Sequence, residues 1–376
     1  MQFGLTETQM VLKNSAREFL AGECPMGEVR RILETDTAHD RNLWRKIAEQ
    51  GWTGIVFPEE HGGLRLGMVE LAAAMEEMGR ALMPGPFLST VVLAGSLIDE
   101  AAGSSNKRRY LAPICAGETI ATVALLEASA RWDSSAVQLD GSGPLRGTKL
   151  FVPDAAVADI FLVAARAGDE LVLLAVDARA EGITVTPQPA MDLTRRLYEV
   201  NFDDVTPMDV LARGHKADAA LARALDVAAA GLAAEMVGGI ERVLEITVDY
   251  AKTRKQFGKP IGQYQAVQHH CADMFLLLEG SRSAAYYAAW ALDQSGARGA
   301  DAPLAVSIAK MYASDAYREA GNKGIQVHGG MGFTWENDIH LYYKRAKASE
   351  IAFGDANYHR ERIARLVIDR RGGVAA

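Results

Sequence analysis

The chain has 376 residues, 49% of them hydrophobic and 23% charged, and its formal net charge is −8. This length predicts a globular protein of two or three domains. The acidic balance disfavours nucleic acid as the main partner, because phosphate binding requires a basic face. Three widely spaced cysteines, Cys24, Cys115 and Cys271, are typical of a reducing cytoplasm, and neither disulfides nor a metal site is expected.

Neither a signal peptide nor a membrane span is predicted. The first residues lack a basic start followed by an apolar core. The longest uncharged run, residues 81–98, is interrupted by Pro84 and Pro86, which leaves too few helical residues to cross a bilayer. We therefore expect a cytoplasmic protein without membrane insertion.

Residues 1–118 predict helices joined by turns. Thr6 and Gln9 have the spacing of a capping box, in which the threonine hydroxyl and the glutamine side chain each bind a backbone amide. Asp40 is the expected N-cap of a second helix that ends at Gly51. Further helices are predicted near residues 67–81, 87–99 and 104–116.

Residues 119–207 predict a small antiparallel sheet or barrel. Seven runs have the length and composition of strands: Thr119–Glu127, Ala136–Asp140, Leu145–Val152, Asp159–Ala165, Leu171–Asp177, Ile183–Thr186 and Tyr198–Phe202. Residues 167–170 (AGDE) predict a hairpin loop between two of them.

The only prolines in residues 208–376 are Pro260 and Pro303, so long helices are expected. The first is predicted from about Asp218 to Thr253. Alanine-rich runs favour close packing of these helices in a four-helix bundle. The predicted fold is therefore an α+β multidomain protein with three parts. These are an N-terminal α-helical domain (1–118), a middle antiparallel β-domain (119–207) and a C-terminal four-helix bundle (208–376).

Two motifs near the C-terminal helices suggest a site for a large anionic ligand. Residues 250–261 read YAKTRKQFGKPI, and residues 326–332 read QVHGGMG. An arginine, an aromatic ring and amide side chains are combined with glycines, which let a ligand approach the backbone closely.

The succession of helical block, β-domain and helical bundle with these motifs resembles the acyl-CoA dehydrogenase family over essentially the whole chain. Residues 57–63 (FPEEHGG) are similar to the family's Pro-Glu-x-x-Gly-Gly segment. The resemblance implies an FAD-dependent oxidoreductase that dehydrogenates the α,β CH–CH bond of an acyl-CoA thioester in lipid metabolism and β-oxidation. It also implies homologous subunits in a dimer or tetramer, and electron-transfer flavoprotein or a similar acceptor.

The two C-terminal motifs resemble the family's binding site for the adenosine-pyrophosphate half of an FAD whose flavin ring lies on a neighbouring subunit. The residues implied in FAD binding are Arg254, Gln256, Phe257, Gln326, Gly329 and Gly330. An arginine donates charge-assisted hydrogen bonds to pyrophosphate, and amides donate and accept near phosphate or ribose.

The chain departs from the family at both usual positions of the catalytic glutamate. Phe353 occupies the position before the glycine near the C-terminus, and Asp355 replaces the family's threonine. The alternative base position, on the first helix of the bundle, is Ala228. Neither alanine nor phenylalanine can accept the α-proton of the substrate.

The segments that face the flavin ring in the family are altered too. Residues 126–133 read LEASARWD in place of Thr-Glu-Pro-x-x-Gly-Ser-Asp, and only Glu127 and Asp133 remain. Residues 151–154 read FVPD in place of Trp-Ile-Thr-Asn, and Pro153 has neither a hydroxyl nor an N–H to donate.

The first hypothesis is a subunit of a hetero-oligomer, α2β2, that lacks its own catalytic glutamate and contributes the FAD adenosine-pyrophosphate site to a paralogous chain. A second is a homomeric dehydrogenase with a relocated base, Asp355 or Glu235. A third is a flavin-dependent oxidase or hydroxylase on the same fold. A fourth is a structural subunit that does not contact FAD.

Overall fold

The computed structural model describes residues 4–294 and 299–369. Its first part is helical, as predicted. The helices are α1 (Glu7–Glu23), α2 (Met26–Leu33), α3 (Arg41–Glu49), α4 (Met68–Arg80), α5 (Ser96–Ala101), α6 (Ser104–Asn106) and α7 (Ala112–Cys115). Short 3-10 helices lie at Trp52–Gly54 and Glu59–His61, and π-helical segments at Phe87–Gly95 and Lys107–Leu111.

Both predicted helix caps are confirmed. The amide of Gln9 donates to Thr6 Oγ1 at 3.3 Å, and the amide of Thr6 donates to Gln9 Oε1 at 2.8 Å. Asp40 Oδ1 accepts from the amides of Asn42 and Leu43, both at 2.9 Å. These bonds satisfy amides that have no carbonyl partner in the first turn of a helix.

The middle of the chain forms seven strands in two sheets. The strands are β1 (Ala121–Ala124), β2 (Leu145–Pro153), β3 (Ile160–Ala167), β4 (Glu170–Asp177), β5 (Ile183–Gln188), β6 (Leu197–Val205) and β7 (Asp209–Arg213). One sheet has the order β1-β3-β4-β7 and the other β2-β6-β5. β3 and β4 pair through the predicted loop, and their continuous apolar runs are buried on both faces.

Two predictions for this region were wrong, and one strand was missed. The expected strand at Ala136–Asp140 is reduced to a single parallel bridge between Asp140 and Arg166, and the amides of Gln138 and Leu139 donate to the Glu127 carboxylate. β7 was not predicted. β1 pairs with β3 in parallel, so the larger sheet is mixed rather than antiparallel.

The C-terminal part consists of long helices, as predicted. They are α8 (Gly214–Thr253), α9 (Gln265–Asp293), α10 (Ala302–His328), α11 (Ile339–Ile351) and α12 (Ala356–Ala364). Two short strands, β8 (Lys255–Gln256) and β9 (Lys259–Pro260), form a hairpin after α8, followed by a 3-10 turn at Ile261–Gln263. A 3-10 turn, Gly329–Phe333, follows α10, and π-helical Arg365–Asp369 follows α12.

Helices α4 and α8 cross at backbone contact. A Cβ added to Gly79 of α4 would lie 1.9 Å from the carbonyl oxygen of Glu235, and one added to Gly238 of α8 would lie 1.7 Å from that of Glu76. Only glycine permits this approach, which fixes the part of α8 that carries Glu235.

Contacts divide the described chain into two compact units. One comprises the described residues of 1–29, 68–83 and 229–376, and the other comprises residues 30–67 and 84–228. The division into domains 1–118, 119–207 and 208–376 stays a prediction. Among the described residues, no helix is both long enough and apolar enough to cross a membrane.

Candidate functional site

The β8–β9 hairpin presents an aromatic ring to solvent at a strained position. Its two-residue turn, Phe257-Gly258, has φ values of +52° and +83°. Positive φ at both central residues matches the twist of a hairpin, and glycine adopts it without cost. In a bulky residue this conformation costs about 1–2 kcal/mol. Phe257 nevertheless adopts it, and 93% of its side chain is exposed.

The same hairpin carries an exposed arginine. Arg254 follows the last residue of α8, its amide donates to the Tyr250 carbonyl at 2.8 Å, and its carbonyl accepts from the Ile261 amide at 2.8 Å. Within the described ranges 4–294 and 299–369, no carboxylate pairs with its guanidinium. The Tyr264 hydroxyl donates to the carbonyl of the exposed Gln256 at 3.0 Å, which ties the hairpin to the next segment. The backbone is therefore held while the arginine head is free to bind an external anion.

The second motif forms an open turn at the end of α10. Gly329 has φ +60°, and its amide caps the helix by donating to the carbonyls of Gln326 and Ile325. Gln326, Gly329 and Gly330 are all exposed. A Cβ added to either glycine would meet no atom within 4 Å, so a ligand has room to lie against this backbone.

Tertiary structure brings the two motifs together through a ring pair that the sequence reasoning did not single out. Tyr250 and His328 stack with ring centroids 4.2 Å apart and planes 21° apart. His328 is 4% exposed, and its Nδ1 lies 2.8 Å from the Gly324 carbonyl oxygen. Burial holds the pKa of this imidazole below its ordinary value. The only signal in the sequence was its place beside the glycines.

Neither usual base position carries a proton acceptor. Ala228 is fully buried, and Phe353 is 7% exposed with φ +57°. Asp355 is the N-cap of α12, where its Oδ1 accepts from the Tyr358 amide at 2.7 Å. Glu235 lies 2.6 Å from the guanidinium of Arg345, and both side chains are buried. The two carboxylates considered as relocated bases thus already have structural partners.

A buried lysine holds the turn that contains Phe353. Lys310 Nζ donates to the carbonyls of Gly354 at 2.9 Å and Glu350 at 3.1 Å, and to Ser314 Oγ at 3.0 Å. Burial lowers the pKa of Lys310 to about 7. The sequence reasoning missed this lysine, although it interrupts an otherwise small and apolar face of α10.

The two acidic residues that this chain shares with the family's Thr-Glu-Pro-x-x-Gly-Ser-Asp segment form ion pairs within the chain. Glu127 accepts from the buried Lys149 at 2.7 Å, and Asp133 pairs with Arg131 at 3.0 Å. Pro153 offers only its carbonyl, which accepts from Thr122 Oγ1 at 2.7 Å. These residues present no free hydroxyl to a flavin ring.

Phe151 and Asp154 complete this segment. Phe151 is 41% exposed with φ +54°, so it is not a core residue. Asp154 is 3% exposed and accepts from Ser89 Oγ at 2.5 Å.

Comparisons with known proteins identify the family of this chain. The family model for the acyl-CoA dehydrogenase N-terminal domain matches residues 6–118, and that for the C-terminal domain matches residues 218–368. This chain belongs to the acyl-CoA dehydrogenase family. The acyl-CoA dehydrogenase IpdE2 of Mycobacterium tuberculosis is 33% identical over 348 residues, which cover 91% of this chain and 92% of IpdE2.

Two solved structures of this acyl-CoA dehydrogenase fold illustrate the likeness. A chain of the ChsE4–ChsE5 complex from Mycobacterium tuberculosis has 28% identity and a TM-score of 0.86, covering 97% of this chain and 98% of that one. The FAD complex of PigA has 26% identity and a TM-score of 0.89, covering all of both chains.

FAD is the cofactor of this family of oxidoreductases, and when bound it supplies the acceptor for the substrate hydride. The described residues fit its adenosine-pyrophosphate half. Arg254 offers an unpaired cation, the backbone at Gly329 and Gly330 is open, and Phe257 offers an exposed ring. The segment around Pro153 offers no equivalent set of free donors for the ring half. Among the residues that the structure describes, no group of three or more His, Cys, Asp or Glu side chains could hold a metal ion.

Proposed function

We propose that this chain is a subunit of a hetero-oligomeric acyl-CoA dehydrogenase that contributes the FAD adenosine-pyrophosphate site and lacks its own catalytic glutamate. One contrast carries the proposal. The cofactor residues are exposed, and the guanidinium of Arg254 pairs with no described carboxylate, whereas the base positions hold Ala228 and Phe353. The paralogous subunit then supplies the catalytic base and the surroundings of the flavin ring.

The chemistry of α,β-dehydrogenation supports this division of roles. Removal of the α-proton requires a base within about 3 Å, directly or through one water. Proton uptake by Glu235 would leave the buried guanidinium of Arg345 without its counter-charge, which is strongly unfavourable. Asp355 accepts the amide bond that starts α12, so turning it toward a substrate would uncap that helix.

Exposed apolar side chains near the cofactor motifs support association with another chain. Met331 is 46% exposed, Phe333 72% and Trp335 46%, and all three follow the open glycines. Exposed aromatic and methionine side chains in such a cluster are typical of subunit interfaces. The relatives ChsE4 and ChsE5 form a complex, which supports a homologous partner here. We propose an α2β2 tetramer that acts in cytoplasmic β-oxidation and passes electrons to electron-transfer flavoprotein or a similar acceptor.

The test is to purify the chain alone and together with a homologous acyl-CoA dehydrogenase subunit that retains the catalytic glutamate. Native mass, flavin absorbance per chain and acyl-CoA oxidation with an artificial electron acceptor are then measured. We expect one FAD per two chains and activity only in the mixed assembly. Full FAD occupancy and dehydrogenation by the lone chain would contradict the proposal.

The variant Arg254→Ala tests directly whether this chain contributes the FAD adenosine-pyrophosphate site. Loss of a hydrogen bond from a charged donor costs about 1.5–3 kcal/mol, so FAD affinity of the assembly should fall roughly 10- to 100-fold. The matched control is Arg41→Ala, an exposed arginine on α3, which should leave FAD affinity unchanged. Equal FAD affinity in both variants would mean that Arg254 does not bind the cofactor.

A further inference from the structure

We propose that His328 is a positioning residue for FAD. Through its stack on Tyr250, it fixes the β8–β9 hairpin that carries Arg254 against the Gly329–Phe333 turn. The proposal rests on the proposed function, in which both elements bind one cofactor. It assigns a role to a side chain that need not touch FAD itself.

Tyr250 connects the stack to Arg254 through the backbone. It lies in the last turn of α8, and its carbonyl accepts from the amide of Arg254 at 2.8 Å. The Arg254 carbonyl in turn accepts from the amide of Ile261, which closes the hairpin. A displacement of Tyr250 therefore displaces the start of the hairpin and the root of the arginine side chain.

His328 connects the stack to the glycine turn. It is the last residue of α10, and a Cβ added to Gly332 would lie 3.2 Å from the Cβ of His328, so the turn folds back onto this residue. His328 Nδ1 donates to the Gly324 carbonyl at 2.8 Å, which fixes the orientation of the ring. The face of the His328 imidazole thus contacts Tyr250 of the first motif. Its edge is hydrogen-bonded within α10, the helix that leads into the second motif.

The geometry explains why a planar ring with a donor is suited to this position. Parallel stacking at 4.2 Å requires a flat side chain whose rotation is restricted, and the bond to Gly324 provides the restriction. Bidentate binding of a pyrophosphate by Arg254 depends on placement within a fraction of an ångström. Loss of the stack should therefore weaken cofactor binding although no FAD contact is removed.

The experiment measures the FAD dissociation constant of the mixed assembly by flavin fluorescence for four variants. His328→Leu and Tyr250→Leu each remove the stack, and each should weaken FAD binding roughly 10-fold. Tyr250→Phe keeps both rings and the bond to Gly324 and should stay within about threefold of the unmodified assembly, whereas His328→Phe keeps the rings but loses that bond and should fall between Tyr250→Phe and His328→Leu. Wild-type affinity in both leucine variants, or equal losses in the leucine and phenylalanine variants, would overturn the proposal. The variant at Tyr250 decides the question if His328→Leu does not fold.

A double-mutant cycle distinguishes positioning from general damage to the fold. If His328 acts on FAD mainly through Arg254, His328→Leu should have less than a threefold effect in an Arg254→Ala background. The full 10-fold loss in that background would overturn the role through Arg254. The cycle also separates the two proposals. If Arg254→Ala weakens FAD binding and His328→Leu does not, only the positioning role of His328 is contradicted. If Arg254→Ala leaves FAD affinity unchanged, the proposal that this chain contributes the FAD adenosine-pyrophosphate site is itself contradicted.

Discussion

Phe257 and Phe353 both adopt a positive φ, yet 93% of the Phe257 side chain is exposed and only 7% of Phe353. The β8–β9 hairpin exposes the Phe257 ring, which meets Tyr264 edge to face with centroids 6.5 Å apart, and the neighbouring Arg254 pairs with no described carboxylate. The turn at residues 351–356 is held by the buried Lys310, and its acidic side chain caps a helix. Side chains that bind another molecule must remain accessible to it. Of the two regions compared, the β8–β9 hairpin is the one with such side chains.

The same contrast holds for the glycines of the two regions. Gly330 faces open space, whereas a Cβ on Gly354 would lie 2.2 Å from the Tyr358 ring. The hairpin and the glycine turn leave room for a ligand, while the turn at 351–356 is packed against its own helix. The backbone around Phe353 is thus fixed by contacts within the chain.

The largest expected effect on stability is at Glu235. Its ion pair with the buried Arg345 argues against a role as the catalytic base. Glu235→Ala should destabilise the chain by about 3–5 kcal/mol, since it removes the carboxylate that lies 2.6 Å from the buried guanidinium of Arg345. Urea unfolding measures this loss. The control is Glu60→Ala, at a side chain that is 77% exposed, and it should change the free energy of unfolding by less than about 0.5 kcal/mol. Glu235→Gln keeps the shape and should retain turnover. An unchanged stability with turnover abolished would identify Glu235 as a base.

Gly330→Ala tests whether the open turn is reserved for the cofactor. The added methyl group meets no protein atom, so the melting temperature should not change. A ligand lying on this backbone would be displaced, and we expect roughly 10-fold weaker FAD binding, or about 1.4 kcal/mol. Gly143→Ala, another glycine with open space, serves as the control for both measurements. Unchanged FAD affinity in Gly330→Ala would show that the cofactor does not approach the turn.

The pH dependence of stability tests the packing of Lys310. Its pKa is about 7 in the folded chain and near 10.5 when exposed, so the unfolded chain binds more protons between these values. Stability should therefore rise with pH in this window, by about 1 kcal/mol between pH 7.5 and 8.5. Chemical unfolding at several pH values measures the slope, and Lys310→Met should flatten it. The same slope in Lys310→Met would show that another group titrates.

The smallest effect is expected at Asp355. Asp355→Ala removes the N-cap of α12 and should cost about 1 kcal/mol of stability, whereas Asp355→Asn keeps a capping oxygen and should cost a few tenths. Neither variant should alter acyl-CoA turnover by the mixed assembly. A large loss of turnover in Asp355→Asn at unchanged stability would make Asp355 the relocated base and contradict its role as a cap.

Features that depend on neighbouring residues were the ones the sequence predicted well. The capping box at Thr6 and the N-cap at Asp40 need only a side chain and the next few amides. The strand expected at Ala136–Asp140 is reduced to one bridge, and the amides of Gln138 and Leu139 donate to Glu127, which lies outside that segment. The parallel pairing of β1 with β3 was missed because strand order depends on contacts between separated segments.

The candidate site shows the same limit. Arg254, Phe257 and Gly330 were predicted from their motifs, because residue type and spacing indicate the chemistry of an anionic cofactor. The stack of His328 on Tyr250 could not be predicted, since it joins residues from the ends of two different helices. Nor could the pairing of Glu235 with Arg345, which determines whether that carboxylate is available as a base. The cap formed by Asp355 is local, like those at Thr6 and Asp40.

The sequence by itself determined the family, the succession of helices, strands and helices, and the residue types available to hold FAD. These properties follow from local patterns and from motifs whose members are close in the chain. Only the tertiary structure decided which of those groups are free. Pairing of a buried charge, closure of a turn and exposure of a ring all depend on atoms brought from distant parts of the chain. The difference between Phe257 and Phe353 is therefore a property of the fold.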